Sequence, residues 1–334
     1  MNGAPPAGPA VSFADVEAAA ARLHGRVVRT PVLHHPALDA ATGGTVLVKP
    51  EPLQRTGSFK LRGATNAALL LDEGARRAGV VTHSSGNHGQ AVAAAARMLG
   101  MPALVAMPDD APAIKRDATR RWGATILTFD RHGTDREALA GRLAAERGAA
   151  LIPPFDHPHV IAGQGTVALE LVEDALAASF PPLDTLAVCT GGGGLVAGCA
   201  LAMEAMAPGA EVWAVEPEGW DDTKRSLEAG ERLENDGTGS GLCDALLSRR
   251  PGAITFPINR RLLAGAAVVT EAEVLRAMRF AFEHLKLVVE PGGAVALAAV
   301  LAGKVEARGR TVGVVLSGGN VDPAVFARAL AAVA

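Results

Sequence analysis

Apolar residues along the chain follow two patterns. Short runs that are apolar on both faces are typical of strands in a parallel sheet covered by helices, and longer Ala- and Leu-rich runs with helical spacing follow most of them. The predicted strands cover residues 46–48, 79–82, 103–107, 125–129, 185–189, 211–215 and 311–316. The predicted helices cover residues 89–99, 113–122, 136–147, 167–176, 195–206 and 271–285. This alternation predicts an α/β architecture, whose functional loops follow the carboxyl ends of the strands.

Composition narrows the class of protein. The residues are 49% hydrophobic and 20% charged, a composition that excludes a disordered chain. The length of 334 residues predicts about two domains. The 32 Lys and Arg residues nearly balance the 35 Asp and Glu residues, so the net charge of −3 gives no sign of a nucleic-acid or membrane partner.

Cysteine usage and targeting signals are also informative. The three cysteines, Cys189, Cys199 and Cys243, form no CxxC pair and predict neither a disulfide framework nor a zinc cluster. The N-terminal residues lack the basic start and apolar stretch of a signal peptide, and the apolar run 292–303 is too short to span a membrane. We therefore expect a cytoplasmic protein.

The first loop with candidate chemistry runs from Arg55 to Lys60 and precedes a helical run. Lys60 would lie in the first turn of that helix, where the helix dipole disfavours a cation and lowers the pKa of the amine. Such an amine suits imine chemistry. Taken alone, however, the loop favours a surface lysine near a helix start.

A second loop, Thr82 to Gln90, places hydroxyls, an amide and main-chain N–H groups at a helix N-terminus. Such a turn can bind a carboxylate or a phosphate. A simple helix cap needs only one of these side chains, so the pattern favours a site. Neither His83 nor His88 indicates a general base or a metal ligand by itself.

Glycine-rich turns end two further strands. Four consecutive glycines in Thr190 to Leu195 allow several N–H groups to converge on an anion, which favours a phosphate site over a plain turn. The segment Leu316 to Val321 also follows a predicted strand. Together with Glu290 to Gly293, it offers a small hydrogen-bond acceptor at a point where two main-chain segments can approach closely.

The same glycine turn allows a different interpretation. Gly192, Gly194 and Ala197 fit the G-x-G-x-x-A spacing of a dinucleotide site, and Glu216 ends the next strand, where a ribose-binding acid belongs. A nicotinamide-dependent dehydrogenase is therefore an alternative. It leaves the loop of Lys60 unexplained and places the fingerprint past the middle of the chain.

Taken together, these loops resemble those of the pyridoxal-phosphate enzymes of fold type II, the tryptophan-synthase β-subunit fold. Within that fold the chain is most similar to the serine/threonine dehydratase and serine racemase family. The matching segments are SFADVE from Ser12, TGSFKLRGA from Thr56, VVTHSSGNHGQA from Val80, VIAGQGTVALE from Val160, TGGGGLVAG from Thr190, VEPEGWDD from Val215, EPGGAVALAAVL from Glu290 and LSGGNVD from Leu316. Each is only suggestive, but the ordered set is highly specific.

The resemblance implies a bound pyridoxal 5'-phosphate. Lys60 would form the Schiff base, and Phe59 would pack on the pyridine ring. Asn87 would bind the phenolic oxygen, and Ser317 would face the pyridine nitrogen. Main-chain N–H groups would hold the phosphate, and they belong to Gly191, Gly192, Gly193, Gly194 and Leu195. A serine hydroxyl leaves the ring a weaker electron sink than an aspartate would, which favours loss of a β-leaving group.

The resemblance also assigns residues to the substrate. Ser84, Ser85 and His88 would lie around its carboxylate, and Arg136 matches an arginine that reaches toward substrate in racemases of the family. Elimination needs a base on one face only, which Lys60 supplies. Inversion needs an acid on the other face, for which Ser85 is the candidate.

A metal site is implied at the end of the strand 211–215. Glu216, Asp222 and the carbonyl of Trp220 match a divalent-cation site of the family. Two carboxylates and a carbonyl suit Mg²⁺ or Ca²⁺. A solvated acidic turn is the alternative.

The family fold implies two doubly wound α/β domains with the active site between them, and the protein would be a homodimer. Residues 1–68 and 153–334 would form the large cofactor-binding domain, and residues 69–152 the small one. The predicted reaction dehydrates L-threonine or L-serine to a keto acid and ammonia. A 3-hydroxyaspartate dehydratase and a serine racemase are the alternatives within the family. A nicotinamide oxidoreductase and a non-catalytic binding protein are the alternatives outside it.

Two segments depart from the family pattern. Phe155 stands where racemases carry a polar residue, which is more typical of a dehydratase. The segment Cys243-Asp244-Ala245 replaces the usual Ala-Asp-Gly and alters a loop near the substrate.

Overall fold

Two sheets organise the molecule. The computed structural model describes residues 10–111, 113–130 and 133–332. The strands are β1 (Leu33–His34), β2 (Thr45–Pro50), β3 (Val80–His83), β4 (Ala103–Pro108), β5 (Thr125–Phe129), β6 (Ala150–Leu151), β7 (Thr185–Cys189), β8 (Glu211–Pro217), β9 (Gly265–Val269) and β10 (Thr311–Leu316). They form a six-stranded sheet in the order β1-β2-β10-β7-β8-β9 and a four-stranded sheet in the order β5-β4-β3-β6. All neighbours are parallel except β1 and β2.

Helices connect most of these strands. They are α1 (Phe13–Leu23), α2 (Pro36–Thr42), α3 (Lys60–Leu69), α4 (Glu73–Ala78), α5 (Asn87–Met98), α6 (Ala113–Arg121), α7 (Arg136–Arg147), α8 (Pro158–Ala177), α9 (Gly194–Met206), α10 (Asp222–Ala229), α11 (Thr255–Leu262), α12 (Glu271–Phe280), α13 (Pro291–Leu301) and α14 (Pro323–Leu330). Short 3-10 turns cover Glu51–Leu53 and Asp244–Leu246, and a π-helical turn covers Ala281–Leu285. The predicted α/β architecture is confirmed.

The large sheet is covered on both faces, as the continuous apolar runs predict. In β2, Val46 and Val48 pack into the core cluster beneath α12 and α13, whereas Leu47 packs into the cluster beneath α1, α8 and α9. Successive side chains of a strand point to opposite faces, so both faces of β2 are buried. This burial on both faces holds β2 firmly in the sheet and so fixes the position of the loop that follows its carboxyl end.

The strand order places three loops beside one another. The last strand, β10, lies between β2 and β7. Because these strands are parallel, their carboxyl ends share one edge of the sheet, and the segments after Pro50, Cys189 and Leu316 therefore meet there.

The proposed division into domains remains a prediction. The strands of the smaller sheet all lie within residues 80–151, inside the expected small domain. Residues 1–9, 112, 131–132 and 333–334, which the division also assigns, lie outside the described residues.

Among the described residues, no helix is long and apolar enough to cross a lipid bilayer. The expected homodimer and cytoplasmic location remain predictions.

Candidate active site

One cleft brings together the loops that the sequence singles out. Every residue predicted to bind cofactor or substrate lines it: Phe59, Lys60, Ser84, Ser85, Asn87, His88, Arg136, Gly191, Gly192, Gly193, Gly194, Leu195 and Ser317. The cleft lies between the carboxyl-end loops of the large sheet and those of β3 and β5 in the small sheet. The metal-site candidates Glu216, Trp220 and Asp222 do not line it.

Lys60 is the first residue of α3, as the loop pattern predicts. Its Nζ lies 5.1 Å from the centroid of the Phe59 ring and donates a hydrogen bond of 2.7 Å to the carbonyl of Pro154. Burial lowers the pKa of Lys60 from 10.5 to about 8. A substantial fraction of the amine is therefore neutral near physiological pH, which is the form that attacks an aldehyde.

The glycine turn after β7 is held tightly. Gly193 has a φ of +88°, in the left-handed region that favours glycine, and a Cβ there would lie 2.6 Å from Nδ2 of Asn259. A Cβ on Gly192 would lie 2.4 Å from the ring of Phe155. Because α9 begins at Gly194, its first N–H groups have no partner within the helix. The turn therefore fits a phosphate group.

Ser317 immediately follows β10 at the base of the cleft. Its carbonyl accepts a hydrogen bond of 3.1 Å from the N–H of Phe59, which ties the two segments together. The thiol of Cys189, which also lines the cleft, lies 3.4 Å from the carbonyls of Gly293 and Val315. Phe59 and Ser317 therefore line the same part of the cleft, where they would hold the pyridine ring of the cofactor.

Sequence reasoning missed the side chains that hold Asn87. Asn87 Nδ2 donates a hydrogen bond of 2.6 Å to Oε1 of Glu290, and Asn87 Oδ1 accepts one of 2.8 Å from Nδ2 of Asn320. These two bonds fix the orientation of the Asn87 amide, and its second N–H can meet the phenolic oxygen. The motifs contain Glu290 and Asn320, but no spacing rule connects residues so far apart in the chain.

Two histidines that line the cleft, His83 and His88, are uncharged near neutral pH. Burial, and then the charge of Lys60, lower the pKa of His88 to about 3. Its Nε2 lies 2.9 Å from the carbonyl of Ile152, and because a carbonyl only accepts, Nε2 carries the proton. The buried Nδ1 has no partner among the described residues. Burial, and then Arg136, lower the pKa of His83 to about 4.

The serine loop leaves one hydroxyl available. Ser84 Oγ accepts a hydrogen bond of 3.1 Å from the N–H of Gly86. Within the described ranges the hydroxyl of Ser85 has no hydrogen-bond partner, and it is half-buried in the cleft. Arg136, the first residue of α7, is exposed and forms no ion pair with any described residue.

The candidate metal ligands lie away from the cleft, where α10 begins. Glu216 is fully buried and accepts hydrogen bonds from the N–H groups of Thr223 and Lys224 at 2.8 and 2.9 Å. Asp222 is also fully buried, and its Oδ1 accepts a bond of 2.6 Å from Nδ2 of Asn235. No group of three or more His, Cys, Asp or Glu side chains suited to a metal occurs in the described part of the chain.

Comparisons with known proteins identify the family to which the chain belongs. A family model described as "Pyridoxal-phosphate dependent enzyme" matches residues 23–318. The chain is 47% identical to an L-threo-3-hydroxyaspartate ammonia-lyase of Pseudomonas sp, over 96% of this chain and 98% of that one. It is 40% identical to a serine racemase of Schizosaccharomyces pombe, over 93% and 94% of the two chains. A structure of maize serine racemase, 38% identical, superposes with a TM-score of 0.90 over 96% of this chain and 97% of that one.

These matches decide between the two interpretations of the glycine turn, a phosphate site for pyridoxal phosphate and a dinucleotide site. They confirm the predicted fold, cofactor class and family resemblance, and they supersede the dinucleotide fingerprint at Gly192 and Gly194. The individual roles of the site residues remain predictions. The chain belongs to the family of pyridoxal-phosphate-dependent enzymes, and its fold is that of fold type II.

Proposed function

We propose that the protein is a pyridoxal-phosphate-dependent ammonia-lyase of β-hydroxy amino acids, and that 3-hydroxyaspartate is its preferred substrate. The observation that carries the preference is the 47% identity to the Pseudomonas L-threo-3-hydroxyaspartate ammonia-lyase. The cleft is compatible with such a substrate, because Arg136 is a cation without an ion-pair partner among the described residues. A second carboxylate on the substrate would complement this charge.

The residues of the cleft fit the cofactor, and each group of them would have a separate role in binding or proton transfer. When bound, pyridoxal phosphate withdraws electrons from the α-carbon of the substrate. The Lys60 amine would hold the cofactor and then accept the α-proton, which its lowered pKa allows at neutral pH. The glycine turn at Gly193 would bind the phosphate. The N-terminus of α5 and the hydroxyls of Ser84 and Ser85 would bind the α-carboxylate.

The substrate preference predicts a clear order of activities. Keto-acid release from L-threo-3-hydroxyaspartate is expected to be faster than from L-threonine or L-serine at equal low concentration. Arg136→Met is expected to raise KM for 3-hydroxyaspartate, since losing a hydrogen bond to a charged group costs about 1.5–3 kcal/mol, or about 10- to 100-fold. The matched control is Arg142→Met, which removes an arginine from the exposed side of α7. A wild type that favours L-threonine or L-serine would contradict the preference and support the substrate expected from the sequence.

Serine racemisation is a second candidate activity, favoured by the hydroxyl of Ser85, which lines the cleft and has no hydrogen-bond partner among the described residues. A serine hydroxyl is a weak acid, so racemisation should be a minor side reaction. Ser85→Ala is expected to abolish formation of D-serine while sparing most dehydration of L-serine. Chiral chromatography of the products, alongside keto-acid release, measures both. Equal loss of the two activities would mean that Ser85 mainly binds the carboxylate.

We further propose that Mg²⁺ or Ca²⁺ binds at Glu216 and Asp222, with the carbonyl of Trp220 as a third ligand. The buried Oδ2 of Asp222 has no hydrogen-bond partner among the described residues. Burial, and then the charge of Asp222, raise the pKa of Glu216 to about 8, and burial raises the pKa of Asp222 to about 7. Two buried acids without a cation are unfavourable, so the donors fit a hard divalent ion.

Cation binding should appear as a rise in stability. A ligand that binds only the folded state stabilises it by about 2.7 kcal/mol at one hundred times its Kd. Added Mg²⁺ or Ca²⁺ is therefore expected to raise Tm, and Glu216→Gln should remove the response. Glu218→Gln, at an exposed neighbour, is the matched control. A wild type whose Tm is the same in chelator as in excess cation would contradict the proposal.

A further inference from the structure

One ion pair joins the two sides of the cleft. Lys115 lies on α6, beside the small sheet, and Asp244 begins the 3-10 turn that follows the loop beyond α10. Their side chains form a salt bridge although they lie 129 positions apart in the chain. Both residues line the same cleft as Lys60 and Ser85.

The pair differs from the exposed salt bridges described within the helices of the small-sheet region. Those link residues three or four positions apart on one helix, as Arg120 and Asp117 do on α6. Lys115, by contrast, is only 25% exposed and points into the space that must admit an anionic substrate. The charge of Asp244 also acts on a buried acid of the cleft. Burial, and then the charge of Asp244, raise the pKa of Glu290 to about 8.

An unpaired acid at the position of Asp244 would disfavour substrate binding. Its negative charge would repel the carboxylates of the substrate. In the present arrangement Asp244 neutralises Lys115, so this lysine is not an unpaired cation in the cleft. A carboxylate of the substrate has the same chemistry as the side chain of Asp244 and can replace it on the ammonium group.

We propose that Lys115 is a specificity-determining residue, and that the β-carboxylate of a dicarboxylic amino acid displaces Asp244 from it. The inference rests on the proposed function and deepens it. Arg136 and the released Lys115 then bind the β-carboxylate from two sides. A substrate with a methyl group or a hydrogen at that position, such as L-threonine or L-serine, leaves the ion pair intact.

The exchange demands little of the substrate. Asp244 is half-exposed, so solvent screens the salt bridge and the cost of breaking it is small. Because one carboxylate replaces another on Lys115, this lysine keeps an ion-pair partner throughout the exchange. Asp244 is 49% exposed and can turn toward solvent when it is released.

The test compares holoenzyme variants in two assays. Lys115→Met is expected to lower the ratio of kcat/KM for L-threo-3-hydroxyaspartate to that for L-serine roughly tenfold, the effect of one lost charge contact. Asp244→Asn frees Lys115 in the resting enzyme and should shift the same ratio upward. In the second assay succinate, a dicarboxylate, competes with L-serine, and butyrate serves as the monocarboxylate probe. Lys115→Met should weaken inhibition by succinate but not by butyrate.

The control variant is Arg120→Met, which removes a positive charge from the same helix outside the cleft and should leave both ratios unchanged. Equal losses for both substrates in Lys115→Met, with no change in the succinate-to-butyrate ratio, would overturn the proposal. A wild type that does not process 3-hydroxyaspartate defeats the proposed function instead, and the succinate assay then decides the role of Lys115 by itself.

Discussion

Replacing Lys60 with alanine is expected to abolish turnover, with a fall in kcat of about 10⁴-fold. The variant loses the covalent attachment of the cofactor and the base that accepts the α-proton, because one amine is proposed to serve both. Other lysines in the region do not replace it. Lys49 is buried in an ion pair with Glu170, and Lys115 belongs to α6, beside the small sheet, rather than to the turn that opens α3. Keto-acid release and visible absorption of the purified variant measure the two losses separately.

Chemical labelling of the wild type supplies the control for that variant. Borohydride reduction followed by tryptic mass mapping should place the cofactor on the peptide that contains Lys60, and the label should be absent from Lys60→Ala. A label on Lys49 or Lys115 in the wild type would show that the lysine assignment is wrong.

Much of the site can be predicted because its parts are local. A helix N-terminus, a glycine turn and a serine after a buried strand each have a sequence signature of a few residues. Parallel strands then bring these turns to one edge of the sheet, which is a property of the α/β class. The turns at Lys60, Asn87, Gly193 and Ser317 are therefore visible in the sequence pattern, and the structure places them in one cleft.

Contacts between distant segments cannot be predicted in this way. The amide of Asn87 is oriented by Glu290 and Asn320, more than 200 positions further along the chain. The pair of Lys115 and Asp244 likewise depends on how the two sheets face each other. Neither contact has a local pattern, because its partners belong to different strand–helix units.

One element boundary and one strand missing from the prediction show the same limit at smaller scale. The apolar spacing predicts one helix over residues 271–285, but α12 ends at Phe280 and a π-helical turn continues to Leu285. Apolar periodicity does not distinguish a π turn from an α turn over five residues. The strand β9 (Gly265–Val269) is absent from the predicted strands, since its run is short and begins with glycine and alanine.

A buried network of charged side chains holds helix α3, which begins at Lys60, in place. Two positions after Lys60, Arg62 is fully buried and forms two hydrogen bonds to each of two carboxylates, those of Glu51 and Glu170, at 2.7 to 2.9 Å. Lys49 donates to the same Glu170 at 2.8 Å. Two cations and two carboxylates therefore balance, and they bind α3 to the end of β2 and to α8.

Arg62→Met is expected to lower the free energy of unfolding by about 3–5 kcal/mol, the cost of leaving a buried charge without its partner. Urea denaturation of the holoenzyme measures it. The matched control is Arg261→Met, which removes an arginine from the half-exposed pair with Glu204 and should cost less than about 1 kcal/mol. Similar losses in both variants would mean that burial of the network adds nothing.

The pH dependence of this loss follows from Glu170. Burial alone would raise its pKa, but Arg62 and Lys49 hold the pKa below its ordinary value of 4.5. A carboxylate with a lowered folded-state pKa contributes stability above its unfolded pKa and loses it as the pH falls through the folded one. The difference between wild type and Arg62→Met should therefore be largest near neutral pH and shrink below about pH 4.5. A difference that stays constant across that range would show that lost packing around the Arg62 side chain, rather than its charge, accounts for the destabilisation.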